Sequence, residues 1–170
     1  MMMKYCPKCA HQLVEKLVDG RERLVCEKCG FIFYLNPKVA TGTLIEEEGK
    51  VVLVRRGVAP RAGYWGLPAG YMELDETVEE AAIREAKEET GLEVELDELL
   101  GVYSFGGETQ VGGVLILYAA HVVGGQVAPG DDATEVRLFS PDELPPDSEI
   151  AFATHRQALR HWRQAKIAVC

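Results

Sequence analysis

The sequence predicts an α/β domain that follows a small module built on four cysteines. Two C-x-x-C pairs occupy the first thirty residues. Further along, runs rich in β-branched residues are separated by turn residues, and a segment between two glycines has helical periodicity. At 170 residues the chain can bury one moderate core beside a small module. Asn36-Pro37 marks the boundary, which gives predicted domains of residues 1–36 and 37–170.

Composition narrows the class of protein. A formal charge of -9 and 47% hydrophobic residues indicate a soluble acidic protein. No apolar run reaches the length of a membrane span, and the opening MMMKYCPKC lacks the apolar region of a secretion signal. We therefore expect a cytoplasmic enzyme with no membrane partner. Because Lys and Arg dominate binding to nucleic acid, the acidic balance also disfavours a nucleic-acid partner. A phosphate-containing substrate remains compatible with this negative charge if a divalent metal ion bridges the substrate and the protein.

The small module has the cysteine spacing of a zinc ribbon. Cys6, Cys9, Cys26 and Cys29 form two pairs with sixteen residues between them. Two disulfides or a redox dithiol are the alternatives. Disulfides need an oxidising compartment, which this N-terminus does not signal, and two pairs fit tetrahedral zinc better than a single redox pair. Since four thiolates leave no open position, we predict a structural Zn²⁺ ion.

Strands dominate the predicted second domain. Two are predicted soon after the boundary, Val39–Ile45 and Val51–Arg56. Arg55 and Arg56 end the second strand, where neighbours point to opposite faces, so at most one of them faces a site. Either is a candidate to bind a substrate phosphate, and an exposed, salt-bridged arginine is the alternative. The later predicted strands are Glu93–Leu96, Leu99–Phe105, Val114–Val123 and Glu135–Phe139, with a pocket-shaping loop over residues 104–113.

Helical periodicity also predicts a terminal amphipathic helix over residues 150–166. Its apolar stripe includes His155 and Trp162 and is typical of a core or dimer contact. We therefore assign His155 no catalytic role. Tyr71, which lies before the first predicted helix, is a candidate to line a substrate pocket.

The first helix is predicted over Val78–Thr90, and it contains the main candidate site residues. Thr77 and Glu80 have the spacing of a capping box, and Gly91 is a typical helix-ending residue. One face changes from small apolar residues to glutamates along its length. Its members are Val78, Ala81, Ala82, Glu85, Glu88 and Glu89.

Three glutamates on one helix face indicate a cation. Carboxylates three and four positions apart repel by roughly a few tenths of a kcal/mol per pair, and the helix dipole disfavours negative charge near the C-terminus. A bound cation would reverse this cost. Oxygen ligands favour Mg²⁺ or Mn²⁺, and Mg²⁺ is commonly held by a few carboxylates together with substrate phosphates. A solvated acidic face is the alternative.

This segment resembles the Nudix box at every fixed position. The matching residues are Gly70, Glu76 and the run Arg84-Glu85-Ala86-Lys87-Glu88-Glu89-Thr90-Gly91-Leu92. The resemblance covers residues 38–166 and implies an α/β/α sandwich around a mixed sheet. It also implies a hydrolase whose glutamates bind Mg²⁺ and which cleaves a nucleoside diphosphate linked to another group.

The resemblance assigns roles by position. Glu85, Glu88 and Glu89 would be magnesium ligands, with the Ala69 carbonyl as a backbone ligand. Arg84 would orient Glu85 or a neighbour, and Glu76 would support the site from outside. The run EVRLFSPDELP is similar to a region where many Nudix enzymes have a further ligand or general base, which makes Glu135 a candidate. An exposed strand-end glutamate is the alternative. The general base would be Glu85 or Glu135.

Two Nudix groups combine a four-cysteine ribbon with this box. The NADH pyrophosphatases carry a downstream SQPWPFPxS signature, which has no match here. The plant plastid FAD and ADP-ribose pyrophosphatase and its bacterial relatives resemble this chain across nearly its whole length, which favours them. FAD or ADP-ribose would then be cleaved to AMP and a monophosphate, by a homodimer as in the relatives. Many ADP-ribose pyrophosphatases have a proline after the box, whereas this chain has none from Gly91 to Ala128. A non-catalytic nucleotide sensor with a nucleic-acid-binding ribbon is the rival from another class.

Overall fold

The computed structural model describes residues 3–106, 112–130 and 132–168, with the side chain of the last residue excepted. Residues 107–111 of the predicted loop over residues 104–113 therefore lie outside the described residues, and its two ends belong to strands that end at Phe105 and begin at Gly113. The chain separates into two compact units, Met1–Asn36 and Pro37–Cys170.

The first unit is a small three-stranded sheet. Strands β1 (Val14–Val18) and β2 (Arg21–Val25) are antiparallel, and β3 (Ile32–Phe33) pairs with β2. Asp19 and Gly20 both have positive φ, 50° and 75°, which is the backbone that a tight hairpin requires. The buried residues of this unit are Cys6, Leu13 and Cys26, with Cys9, Leu24 and Phe31 packed around them.

The second unit is built on a seven-stranded mixed sheet. Its strands are β4 (Lys38–Glu47), β5 (Lys50–Arg56), β6 (Trp65–Gly66), β7 (Ala69–Tyr71), β8 (Leu92–Phe105), β9 (Gly113–Gly125) and β10 (Ala133–Phe139). The main path has the order β10-β5-β4-β9-β8, with β6 paired to β5 and β7 paired to β4. Strands β4 and β9 are parallel and the other pairings are antiparallel.

Helices cover both faces of this sheet, as strand alternation allows. Helix α1 (Val78–Thr90) shares one hydrophobic cluster with Ile45 and Val52. Helix α2 (Ala153–Ala168) shares the other cluster with Leu44 and Leu53. The predicted α/β/α sandwich with a mixed sheet is thus confirmed. Neither helix in the described part of the chain is long and apolar enough to span a membrane.

Helix α1 begins and ends where the sequence predicts. The Thr77 hydroxyl accepts from the backbone N–H of Glu80, and the Glu80 carboxylate accepts from the backbone N–H of Thr77. At the other end Gly91 is left-handed, with φ 73°, and donates to the carbonyl of Lys87. The Thr41 hydroxyl of β4 donates to the Val78 carbonyl at 3.1 Å, which ties the start of the helix to the sheet.

Most predicted boundaries lie within two residues of the observed ones, and two elements differ by more. The strands predicted at Glu93–Leu96 and Leu99–Phe105 form one strand, β8, because register irregularities between residues 96 and 101 absorb the interruption without ending the pairing with β9. Helix α2 begins at Ala153 rather than Ile150. The reason is that Ile150 pairs with Trp65 and the Ala151 N–H donates to the Trp65 carbonyl at 2.8 Å, which holds this segment extended.

Candidate active site

A cleft of about 680 Å³ lies in the second unit. Its walls come from the end of β5 and the loop after it, from β7 and α1, from the ends of β8 and β9, and from the start of α2. Acidic side chains from α1 line it, together with Arg56 at the end of β5 and Arg61 in the loop after β5. This volume is within the usual range for a small-molecule site.

Glu85 reaches the cleft because residue 70 has no side chain. A Cβ atom at Gly70 would lie 2.2 Å from the Glu85 carboxyl carbon, closer than any real contact. Gly70 is not in the left-handed region, so its role here is space rather than backbone freedom. Burial raises the pKa of Glu85, and a hydrogen bond from Arg84 at 2.7 Å opposes this effect.

Glu89 is the most enclosed of the three helix glutamates. The residue is 8% exposed, and its Oε2 accepts from the backbone N–H of Ala69 at 3.0 Å. Burial raises the pKa of Glu89 to about 7; the Ala69 hydrogen bond opposes this shift, and the nearby charge of Glu85 adds to it. Two neighbouring carboxyls therefore face the cleft with unfavourable negative charge.

Arg84 connects the carboxylates that lie beside the cleft. It holds Glu76 through two bonds, from Nε at 2.9 Å and from Nη2 at 2.7 Å. Its Nη1 donates to Glu85 at 2.7 Å and to Glu88 at 2.9 Å. The hydrogen bonds from Arg84, followed by one from the Glu73 N–H, lower the pKa of Glu76 to about 2. Arg84 thus orients Glu85 and Glu88, while Glu76 anchors the arginine.

The three predicted magnesium ligands are not gathered at one point. Glu85 and Glu89 line the cleft, whereas the Glu88 side chain is 59% exposed and is bound to Arg84. Among the described residues, the four cysteines are the only group of three or more Cys, His, Asp or Glu whose ligand atoms lie within 4.8 Å of one another.

The donor set nevertheless fits a hard divalent cation. Glu85, Glu89 and the backbone of residue 69 line one wall, and all of them offer oxygen. A cation there would stabilise the ionised form of both carboxyls, whose pKa values are raised first by burial and then by the charge of neighbouring glutamates. Glu88 joins this set only if its exposed ion pair with Arg84 opens.

The remaining predicted site residues divide between the cleft and its surroundings. Arg56 and Tyr71 line the cleft. Arg55 and Glu135 are not among its lining residues; Arg55 donates to the Gly63 carbonyl at 3.0 Å and pairs with Glu135 at 3.5 Å. This matches the strand argument that at most one of the two neighbouring arginines faces a site.

Sequence analysis missed the part that α2 plays. His155 is 5% exposed, lines the cleft, and accepts from the backbone N–H of Leu67 through Nδ1 at 3.0 Å. Burial, and then the charges of Arg56 and Arg156, lower its pKa to about 3, so the imidazole is neutral. Helical spacing predicted that His155 is buried. Its contact with Leu67, 88 positions away, had no local signal.

The cysteine cluster of the first unit has the dimensions of a zinc site. Sγ atoms of Cys6 and Cys29 lie 3.6 Å apart, those of Cys9 and Cys26 lie 3.5 Å apart, and Cys9 to Cys29 is 3.6 Å. These distances exclude disulfide bonds among the four, which are free thiols. Tetrahedral zinc with bonds of about 2.3 Å has sulfur–sulfur edges of roughly 3.8 Å, so the thiols fit this ion closely.

Comparison with known families matches this architecture. A Nudix domain model matches residues 36–162, and a second model, described as Nudix N-terminal and of the zinc-ribbon type, matches residues 4–35. The chain therefore belongs to the Nudix family and is a Nudix hydrolase, as the resemblance predicted.

Individual relatives and solved structures are similar to this chain over most of its length. The ADP-ribose pyrophosphatase of Methanocaldococcus jannaschii is 40% identical over 134 residues, which cover 78% of this chain and 77% of that protein. The NAD-capped RNA hydrolase NudC of Pseudomonas aeruginosa is 29% identical over 146 residues; these cover 84% of this chain but 50% of that relative. A crystal structure of a Nudix hydrolase from Nitrosomonas europaea superposes with a TM-score of 0.89 at 37% identity and covers 98% of this chain and 93% of that one.

Proposed function

We propose that this enzyme hydrolyses ADP-ribose, with FAD as the alternative substrate, to AMP and a monophosphate, using Mg²⁺ or Mn²⁺. The observation that carries the proposal is the pair Glu85 and Glu89, whose carboxyl pKa values are raised inside a cleft that Arg56 also lines. Such a pair favours a divalent cation, and Mg²⁺ in turn favours phosphate ligands. The similarity to an ADP-ribose pyrophosphatase supports this substrate over the others.

Different residues of the cleft have different roles in the proposed hydrolysis. Glu85, Glu89 and the Ala69 carbonyl, joined by Glu88 once its ion pair with Arg84 opens, would hold a divalent cation, which would supply charge neutralisation and a water of lowered pKa. Glu85 accepts the proton of the attacking water in preference to Glu135, because Glu85 lines the cleft whereas Glu135 pairs with Arg55. Arg84 keeps Glu85 oriented through its 2.7 Å hydrogen bond.

Substrate contacts come from Arg56 and Tyr71, which also line the cleft. The guanidinium of Arg56 binds a phosphate of the substrate. Its Nε is already fixed by the Pro60 carbonyl at 3.0 Å, so the side chain is positioned in advance. Tyr71 offers an aromatic surface, backed by Lys38 Nζ 4.2 Å from its ring centre. In the first unit, Cys6, Cys9, Cys26 and Cys29 hold a structural Zn²⁺ ion.

The test is AMP release from ADP-ribose, FAD and NADH, measured side by side with Mg²⁺ on zinc-loaded protein. NADH is included because the NAD-capped RNA hydrolases are also relatives. Glu89→Gln is the inactive reference, and Glu98→Gln, an exposed change on β8, is the matched control. We expect release from ADP-ribose by the wild type and the control, and a loss of at least a hundredfold in Glu89→Gln. Release from none of the three substrates, or equal rates in Glu89→Gln, would overturn the proposal.

A further inference from the structure

The start of helix α2 forms the part of the cleft wall that the proposed mechanism leaves unused. Ala153, Thr154 and His155 are the first three residues of this 16-residue helix, and all three line the cleft. The first N–H groups of any helix lack an intrahelical acceptor. In the described ranges, Arg156 has the first backbone N–H of this helix that donates to a carbonyl of the preceding turn. It donates to the Phe152 carbonyl at 3.0 Å. The amides of residues 153–155 have no such acceptor.

This helix start also lacks the groups that normally neutralise it. The residue before the helix is Phe152, which has no side-chain oxygen to act as a cap, and the first turn contains no acidic residue. Two arginines add positive charge nearby. Arg56 lines the cleft with its guanidinium 5.1 Å from the Phe152 ring centre, and Arg156 donates to the Ile150 carbonyl at 2.8 Å. The dipole, the free amides and these arginines all favour an anion.

Thr154 provides an independent indication of a ligand. The residue is 7% exposed, yet no hydrogen bond joins its hydroxyl to any described residue. Buried hydroxyls nearly always have a partner. In the described chain, two fully enclosed side-chain polar atoms lack a hydrogen-bond partner, Arg23 Nε and Thr43 Oγ1. The Thr154 oxygen is not one of them. It therefore keeps access to solvent, and the space that Thr154 lines is the cleft.

His155 completes the same surface. Its Nδ1 accepts from Leu67, so the neutral ring carries its proton on Nε2. In the described residues Nε2 has no hydrogen-bond partner, and the residue lines the cleft. The ring is 5% exposed and packs edge-on against Phe152, with the ring centres 5.2 Å apart, so it cannot turn freely.

We propose that the start of α2 is an oxyanion subsite of the cleft, in which the free amides of residues 153–155, the Thr154 hydroxyl and the Arg56 guanidinium bind a phosphoryl group. As a substrate subsite it rests on the proposed function. It binds the phosphoryl group of the monophosphate product, whereas Glu85 and Glu89 would hold the divalent cation that neutralises the other phosphoryl group. Thr154 is then a specificity-determining residue for substrates with a second phosphoryl group.

The test is an NMR titration of zinc-loaded protein with inorganic phosphate, in buffer without added divalent cation. We expect saturable shifts of the amide signals of Ala153, Thr154 and His155. In Thr154→Val, which keeps the shape and removes the hydroxyl, binding weakens about tenfold, the usual effect of losing a hydrogen bond to a charged group. Thr154→Ser restores it. Thr134→Val, an exposed threonine change on β10, leaves it unchanged. No saturable shifts at residues 153–155, or equal affinity in Thr154→Val, would overturn the proposal.

Enzyme kinetics separate this proposal from the proposed function. Thr154→Val raises KM for the substrate with a smaller change in kcat, and Thr154→Ser reverses the rise. Glu85→Gln abolishes turnover but retains phosphate binding at residues 153–155. Protein that binds phosphate through Thr154 and yet releases AMP from none of the three substrates would retain the subsite and refute the proposed function.

Discussion

The molecule contains two clusters of potential metal ligands, and they are prepared for their ions to different degrees. The four thiols of the first unit already lie within 4.8 Å of one another. The three glutamates of α1 are divided: Glu85 and Glu89 face the cleft, while Arg84 holds Glu88 on the exposed side. The first cluster closes around an ion without rearrangement, whereas the second needs one ion pair to open.

This difference follows from what surrounds each cluster. The thiols sit on two tight turns in a unit whose buried residues are Cys6, Leu13 and Cys26, so the ion substitutes for a hydrophobic core. The glutamates project from a helix fixed at both ends. Thr41 holds its start, and at its C-terminal end the carbonyls of Glu89 and Thr90 accept from Gly130 and Ala128. These bonds hold its backbone in place, so gathering the three carboxylates requires a change of side-chain conformation. We infer a permanent structural ion in the first unit and an exchangeable one in the second.

The largest expected effect is the loss of the thiol cluster. Cys26→Ser removes a buried ligand, and zinc binding in small modules contributes roughly 10–16 kcal/mol to folding. We expect loss of zinc and unfolding of residues 3–36. Zinc content by atomic absorption and proteolytic cleavage within that range measure the two effects. Cys170→Ser, a change outside the four thiols and outside the described residues, is the control. A zinc-free Cys26→Ser protein with a protease-resistant first unit would contradict this account.

Gly70→Ala is expected to displace one member of the carboxylate cluster. The added Cβ would lie 2.2 Å from the Glu85 carboxyl carbon, so the side chain must leave its position. We expect turnover to fall by at least tenfold while Tm changes little, since the backbone at residue 70 suits any amino acid. Gly106→Ala is the matched control, because Gly106 also lines the cleft but its added Cβ would be 3.7 Å from the nearest atom of the described residues. Equal turnover in both variants would refute the role of Gly70.

Arg84→Met is expected to remove the constraint that divides the glutamates. Arg84 and the Glu73 N–H lower the folded-state pKa of Glu76 to about 2. This contact therefore stabilises the fold fully above the ordinary glutamate pKa of 4.5, and the stabilisation is lost as the pH falls from 4.5 towards 2. We expect the variant to lose less stability than the wild type across this range and to show lower turnover at neutral pH. Urea unfolding at several pH values measures the slope. An unchanged slope would exclude Arg84 as the anchor of Glu76.

Glu46→Gln is expected to have the smallest effect and leaves both clusters intact. Glu46 accepts from Trp162 Nε1 at 2.9 Å and from Lys166 Nζ at 2.5 Å, which joins α2 to β4. Because this contact is partly exposed, we expect a loss of no more than about 1 kcal/mol of stability. Denaturant unfolding measures it, with zinc content and kcat as controls. A change in zinc content would show that the two units are coupled.

Local signals predicted the elements that local chemistry determines. The capping box at Thr77 and the left-handed Gly91 fixed the bounds of α1, and the cysteine spacing predicted the thiol cluster. Long-range contacts carried no such signal. The pairing of Ile150 with Trp65 shortened α2, and the Arg84 network divided glutamates that helical spacing placed on one face. Residue types and spacing predicted the candidate metal-binding and catalytic side chains. Their neighbours in the folded structure decide which of them face the cleft.

Electron paramagnetic resonance of Mn²⁺ added to zinc-loaded protein tests most directly whether the carboxylate cluster holds an exchangeable ion. We predict saturable Mn²⁺ binding by the wild type and by Glu98→Gln, without release of zinc. Glu85→Gln and Glu89→Gln should each weaken it by at least tenfold, and Arg84→Met should strengthen it because Glu88 is released. Equal Mn²⁺ affinity in the wild type, Glu85→Gln and Glu89→Gln would contradict the assignment of this cluster as the metal site.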